Sequence, residues 1–335
     1  MPVTEDIVAV DVGGTHARFA IAHIGGDGSI ELGEVATLHT QTHASFQTAW
    51  EDFAERVGSP LPDKVAMAVA AQIDPEIIRF TNNPWIIRPP LIEEKLGCSE
   101  HLVVNDFEAV AHAVARAPAS DFLHLTGPEI DLPYNGTISV LGPGTGLGVA
   151  HFWRDGLENP AGHYRVQATE GGHGDFAPLD SIEDAIHARL RNRHTRVSNE
   201  RVASGPAIVD IYETLSAIEG RALVTRSDVE IWTAGTNGSD SLAAAAVDRF
   251  CLSLGAIAGD IALVQGASGV VIAGGLGLRL RDTLTVSGFA ERFCAKGRFS
   301  GLMASIPVKL ITHPQPGLLG AAAAFVQSRL SRTTS

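Results

Sequence analysis

Apolar residues fall into two rhythms along this chain. Short runs of β-branched and small apolar residues, IVAVDV (7–12) and ARFAIAHI (17–24), flank a glycine pair and predict the two strands of a hairpin. HASFQTAWEDFAERVG (43–58) places Phe46, Ala49, Trp50 and Phe53 at three- and four-residue spacing, which predicts an amphipathic helix closed by a glycine. KVAMAVA (64–70) and HLVVN (101–105) read as buried strands, and DFEAVAHAVARA (106–117) as a helix that ends near Pro118.

The pattern then restarts. TISVLGPGTGLGVAHFW (137–153) is again strand, glycine turn, strand. Helices are expected at 181–194, 205–220 and 240–265, a buried strand at GVVIAGG (269–275), a final strand at PVKLITH (307–313) and a final helix at PGLLGAAAAFVQSRL (316–330). Two α/β halves that each open with a glycine hairpin predict an internal duplication. The expected division is a small α/β domain of residues 1–117 plus 316–335 and a large α/β domain of residues 118–315.

Composition changes this picture only by exclusion. A chain of 335 residues is long enough for two full cores. A net charge of −13 argues against nucleic acid as a partner, because a phosphate backbone needs a basic face. It leaves a nucleotide open, since backbone amides bind phosphate without side-chain charge. The three cysteines, Cys98, Cys251 and Cys294, are odd in number and far apart, which predicts neither a disulfide framework nor a CxxC zinc site. That usage suits a reducing cytoplasm. MPVTEDIVAV lacks the basic region and long apolar stretch of a signal peptide, and no uninterrupted apolar run of about 18 residues occurs, so no membrane span is expected.

The glycine turns carry the candidate chemistry. A tight turn between strands leaves backbone N–H groups unpaired and pointing one way, and missing Cβ atoms let an anion approach closely. Thr15 and Thr145 each follow a glycine and add a hydroxyl donor. An ordinary hairpin turn is the alternative for either loop alone. Other nucleotide signatures are absent: there is no GxxxxGK[ST], GPGTGLG fails the GxGxxG spacing, and neither an HRD/DFG pair nor HExxH occurs. Asp11 stands beside the first turn, where a carboxylate repels phosphate unless a cation lies between them. Magnesium accepts one or two carboxylates together with phosphate oxygens. The second loop has Leu141 at the aligned place, so a single metal position is expected.

The ordered set DVGGT, TNNPW, VNDF, GPGTGLGVAH, EGGHGDFAP, SNERVASGP, GVVIAGG, KGRF and PGLLGAA resembles the bacterial glucokinases of the hexokinase and actin superfamily, over nearly the whole chain. The resemblance implies two RNase H-like (actin-like ATPase) domains flanking a catalytic cleft, closing over glucose and MgATP, with the sugar phosphorylated at its 6-hydroxyl. It implies that Val10, Asp11, Val12, Gly13, Gly14 and Thr15, with Gly142, Gly144, Thr145 and Gly146, hold the nucleotide phosphates. Gly274 and Gly275 match a segment near the adenosine, and Asp11 is implied to hold Mg²⁺ through water. Asp106 matches the catalytic aspartate, and Asn83, Asn105, Asp106, Glu170, His173 and Glu200 match sugar-binding residues. A homodimer is implied by analogy. The sequence departs from the family at His16, where asparagine is usual, and at AAQIDPEIIRF, which is less glycine-rich. It also lacks the zinc-binding cysteine cluster of the related repressor and kinase group.

Each candidate has a plainer reading. Asp106 stands at a strand-to-helix junction, where an aspartate is commonly an N-cap. Glu170 and His173 fit a surface turn, although carboxylates suit a polyol because each accepts bonds from two hydroxyls. His173 and Asp175 make an HxD pair, weak evidence for a metal. His112, His187 and His194 lie on helical stretches and read as solvated, and KGRF (296–299) reads as a basic spot for phosphate or a surface ion pair. The rival functions are a kinase of another hexose or amino sugar, a catalytically silent sugar-responsive regulator of the same fold, and a chaperone-like ATPase.

Overall fold

The computed structural model describes residues 4–156, 164–222 and 225–333. The first elements are β1 (Glu5–Val12), β2 (His16–Ile24), β3 (Ile30–Leu32), β4 (Ala36–His39), α1 (Phe46–Val57), β5 (Lys64–Val69), β6 (Ile78–Arg79) and β7 (Ile86–Ile87). Then come α2 (Ile92–Leu96), β8 (Glu100–Asn105), α3 (Asp106–Arg116), β9 (Phe122–Thr126), β10 (Asn135–Pro143), β11 (Leu147–Asp155) and β12 (Tyr164–Thr169). Helices α4 (Ser181–His194), α5 (Asn199–Val202), α6 (Ala207–Ile218), α7 (Asp228–Thr236) and α8 (Ser241–Gln265) precede β13 (Ala267–Ile272). The chain closes with α9 (Gly274–Arg279), α10 (Arg281–Val286), α11 (Phe289–Cys294), α12 (Ser300–Ala304), β14 (Val308–Ile311) and α13 (Pro316–Thr333). Two compact units result: residues 1–117, 152–168 and 313–335, and residues 118–151 and 169–312.

The first unit holds a sheet of order β3-β2-β1-β5-β8, with β4 also on β2. β1 runs antiparallel to β2 and parallel to β5, which is parallel to β8. Alternation along β1 sends Val8, Val10 and Val12 to one face, packed with Phe46, Trp50 and Phe53 of α1. Ile7 and Ala9 go to the other, against Ala109 of α3 and Leu318, Ala321 and Ala322 of α13. Small residues on this second face let the helices lie close. A Cβ on Gly320 would stand 1.8 Å from the Ala109 carbonyl oxygen, so only glycine permits the α3–α13 crossing. α1 begins where its sequence starts it, with Ser45 and Thr48 forming a capping box, and ends on Gly58 at φ 68°.

The second sheet has the order β12-β11-β10-β13-β14-β9, and β10, β13, β14 and β9 lie in the second unit. Its hairpin strand β10 pairs in parallel with β13, and β13 with β14. The order hairpin, then two parallel strands, repeats that of the first sheet, as the duplicated glycine motif predicts. Its core gathers Ile186, Ile211, Trp232, Phe250, Leu254 and Phe293 from five helices. α8 is the one described helix long and apolar enough to cross a membrane by length and composition, and 72% of that window is buried. It is the central helix of this core rather than a solvent-facing one.

Candidate active site

In the first unit the parallel strands end together. Val12 pairs with Val69, and Val69 with Asn105, so Asp11, the turn after β1 and the β8–α3 junction share one edge of the sheet. Carboxyl ends of parallel strands are where open α/β sheets bind ligands. The turn is tied down through its carbonyls: Asn83 Nδ2 donates to Gly13 O at 3.1 Å, Thr40 Oγ1 to Gly14 O at 2.9 Å, and Thr40 N to Thr15 O at 2.9 Å. With three successive carbonyls bound from behind, the N–H groups of Gly14 and Thr15 take no partner among the described residues. That is the donor arrangement an anion needs. Val10 and Val12 lie beneath, with their side chains in the core.

Asp11 lies directly across the hairpin from Arg18, whose Nη1 donates to its Oδ2 at 3.1 Å. Burial pushes the Asp11 carboxyl above the usual carboxylate range, and the Arg18 guanidinium works against that rise by charge and hydrogen bond. A nearby cation would relieve the same desolvation, so the group is chemically suited to a hard metal ion. Gly317, at the start of α13, leaves the carboxylate its room, since a Cβ there would stand 2.6 Å from Asp11 Cγ. Among the described residues no group of three or more His, Cys, Asp or Glu side chains could hold a metal.

The β8–α3 junction corrects the N-cap reading of Asp106. The cap is Asn105, whose Oδ1 accepts from Phe107 N at 2.9 Å and Glu108 N at 3.3 Å while its Nδ2 donates to Ala71 O at 3.2 Å. Asp106 is the first helical residue, with Oδ1 also accepting from Phe107 N at 2.9 Å. Burial raises its carboxyl to about 6, against the pull of the Phe107 N–H, and the negative charge of Asp11 adds to the rise. Asn83 is buried and divides its amide between Gly13 O and Trp85 N, which fixes the TNNPW turn to the glycine loop.

In the second unit the GPGTGLG turn is supported from behind by SNERVASGP. Gly205 N donates to Gly144 O at 2.7 Å, and Leu147 N donates to Glu200 Oε2 at 3.0 Å. The candidate glycines of this unit, in this turn and after β13, differ in their reasons. A Cβ on Gly146 would stand 2.4 Å from Glu200 Oε2, and Gly274 has φ 80° and sits against the Gly142–Pro143 backbone. A Cβ on Gly144 or Gly275 meets nothing within 4 Å, so the fold does not require glycine there. Thr145 is exposed at the tip. The EGGH turn, Gly171–His173, packs its Gly172 on the Leu147 carbonyl, where a Cβ would stand 2.2 Å away. Glu170 and His173 are exposed, and the backbone of this turn sets their positions.

Several plainer readings are resolved. His112 is buried, not solvated: Tyr164 OH lies 3.0 Å from its Nδ1, and burial lowers the imidazole to about 3. The Tyr164 ring against His112 and the packing of α13 on α3, both invisible to local pattern, account for it. Asp175 pairs with Arg196 at 2.6 Å. In KGRF, Lys296 pairs with Asp260 at 2.7 Å and donates to Ala256 O, a structural ion pair on α8. Arg18 and the buried Thr40 escaped the sequence reading, because neither belongs to a motif and only strand pairing brings them to the loop.

Comparison with known proteins points one way. A family model described as Glucokinase matches residues 8–328. The chain is 55% identical over 320 residues to a glucokinase of Zymomonas mobilis subsp. mobilis, covering 96% of this chain and 97% of that protein. A crystal structure of a glucokinase from an Antarctic psychrotroph superposes with a TM-score of 0.83 at 30% identity, covering 96% of this chain and 98% of that one. A ROK family glucokinase from Streptomyces griseus, in complex with glucose and AMPPNP, shares the fold at a TM-score of 0.59 and 19% identity, covering 95% and 98% of the two chains.

Proposed function

The chain belongs to the glucokinase family, and from that premise we infer how its residues carry out the ATP-dependent phosphorylation of glucose. The γ-phosphoryl group of ATP passes to the 6-hydroxyl of D-glucose, giving glucose 6-phosphate and ADP in the cytoplasm. Asp106 orients that hydroxyl and accepts its proton. The observation that carries this reading is the division of labour at the head of α3. Asn105 already caps the helix, so the Asp106 carboxylate is not needed for the cap, and it sits on a rigid element with its acidity weakened to about 6. A carboxylate of that strength is a better base than an ordinary one and is still about nine-tenths ionised at pH 7.

The remaining roles follow from the donors. The amides of Gly14 and Thr15 are donors to the nucleotide phosphates, as are those of the Gly144–Gly146 loop, and Gly274 and Gly275 border the adenosine. Magnesium, when bound with the nucleotide, neutralises phosphate charge, and Asp11 is the residue suited to hold it directly or through water. Glu170, His173 and Glu200 recognise sugar hydroxyls. Asn105, held beside Asp106 by its cap and its bond to Ala71, completes the sugar site at the head of α3. Asn83 serves the pocket by holding the first loop.

A coupled ADP-release assay over a panel of glucose, mannose, fructose, N-acetylglucosamine and N-acetylmannosamine tests the assignment. Glucose is expected to give the highest kcat/KM. A clear preference for another sugar, or no sugar-dependent turnover, overturns it.

A further inference from the structure

The exposed side chains of Glu170 and His173 depend on the turn beneath them. On its inner side that turn is packed against β11: Thr169 Oγ1 donates to Val149 O at 3.0 Å, and Gly171 and Gly172 leave no room for a Cβ. Its outer side is stitched to the strand-like segment before α5. Asp175 bridges Ser198, Asn199 N donates to Gly174 O at 2.8 Å, and Phe176 N donates to Val197 O at 3.0 Å. One side chain from that segment reaches the residue bearing the imidazole. Arg196 Nη2 donates to the His173 carbonyl oxygen at 2.6 Å, while its Nε pairs with Asp175 Oδ1 at 2.6 Å.

The backbone that delivers Arg196 is strained. Thr195, the C-cap of α4, has φ 58° and ψ −46°, and it is the one non-glycine residue with positive φ among those described. A β-branched residue resists that conformation. It turns the chain sharply out of α4, with Thr195 N still bonded to Arg191 O and Arg196 N to His194 O. Strain of this kind persists where the surroundings over-determine it, and it clusters near functional sites. Yet the Arg196–Asp175 pair is exposed, at 59% and 73% of the two side chains, and an exposed pair contributes little to stability.

We propose that Arg196 is a positioning residue for sugar recognition, clamping the His173 carbonyl and Asp175 so that Glu170 and His173 meet the sugar hydroxyls. The proposal rests on the reading of Glu170 and His173 as sugar-binding residues. Its guanidinium spans two acceptors at once, which a lysine ammonium on a flexible stem does poorly. Losing the clamp weakens ground-state sugar binding and leaves the phosphoryl-transfer groups untouched.

Steady-state kinetics of Arg196→Ala, Arg196→Lys and His173→Ala, with thermal midpoints for each, test this. For Arg196→Ala the KM for glucose is expected to rise roughly ten-fold, as for one lost charge-assisted hydrogen bond, with kcat and the KM for ATP within about two-fold. Arg196→Lys should recover part of the loss, and neither variant should unfold appreciably earlier. An unchanged glucose KM in Arg196→Ala beside a raised one in His173→Ala overturns the positioning role. Equal losses for both substrates, or a marked fall in the thermal midpoint, make Arg196 a structural residue and also overturn it. An unchanged glucose KM in His173→Ala removes the premise instead, and the two failures are thereby told apart.

Discussion

Gly144 offers a perturbation whose effects on folding and on binding should separate. Its Cβ would meet nothing within 4 Å, and its φ lies outside the left-handed region. Its backbone is held by Gly144 N donating to Gly146 O at 2.8 Å and by Gly205 N donating to Gly144 O at 2.7 Å, neither of which a side chain disturbs. Gly144→Ala should therefore leave stability unchanged or raise it by about 0.4–1 kcal/mol, through loss of unfolded-chain freedom. Gly144→Val adds bulk where the phosphates are proposed to approach. If one or two amide–phosphate bonds are lost at about 1.5–3 kcal/mol each, ATP affinity falls about 10- to 150-fold per bond. Calorimetric titration with a non-hydrolysable ATP analogue and, separately, with glucose reads both arms, beside a thermal melt. The control is Gly146→Ala, whose Cβ collides with Glu200 and should damage both ligands. Equal loss of ATP and glucose affinity in Gly144→Val, with a lowered melting point, would refute the open-space argument.

Two further expectations concern carboxylates. Glu170→Gln and Glu200→Gln should each weaken glucose binding by about 1.5–3 kcal/mol with ATP binding kept, whereas Glu200→Ala should weaken both, because Leu147 N loses its acceptor; isothermal titration that finds glucose affinity unchanged in either glutamine variant removes that residue from the pocket. Asp106 has a folded pKa raised from 3.8 to about 6, so its contribution favours folding fully below the unfolded value and is lost as pH rises through about 6. Asp106→Asn should thus be more stable than the parent at pH 7, by roughly 1–3 kcal/mol, with the gain vanishing near pH 4. Denaturant unfolding at the two pH values checks it, and a destabilised variant at pH 7 would contradict the assigned shift.

How far the sequence reveals this molecule depends on how local each cause is. Period-two and period-3.6 patterns are local, so β1, β2, α1, β5, α3 and α8 were all legible within a few residues of their ends. The hairpin repeat foretold the shared strand order of the two sheets. Short edge elements such as β3, β4 and β6 are two to four residues long and carry no period to read. The candidate residues were legible as motifs, but their support was not. Thr40 and Arg18 reach the first loop only through strand pairing, and Gly317 and Gly320 matter because α13 returns from the far end of the chain to Asp11 and Ala109. His112 shows the same limit in reverse, since burial by distant segments turned an expected surface histidine into a neutral partner of Tyr164. At the α3 junction two adjacent polar residues compete for one cap, and side-chain geometry decides for Asn105.

The most direct test of the account is the turnover of Asp106→Asn with saturating glucose and MgATP, followed by coupled ADP release, beside calorimetric glucose binding. Asparagine keeps the shape and the Oδ1 that accepts from Phe107 N, and the helix retains its Asn105 cap. It cannot take a proton. The account predicts a folded protein that binds glucose, with kcat lowered about 10²- to 10⁴-fold. Near-native turnover in that variant would contradict it.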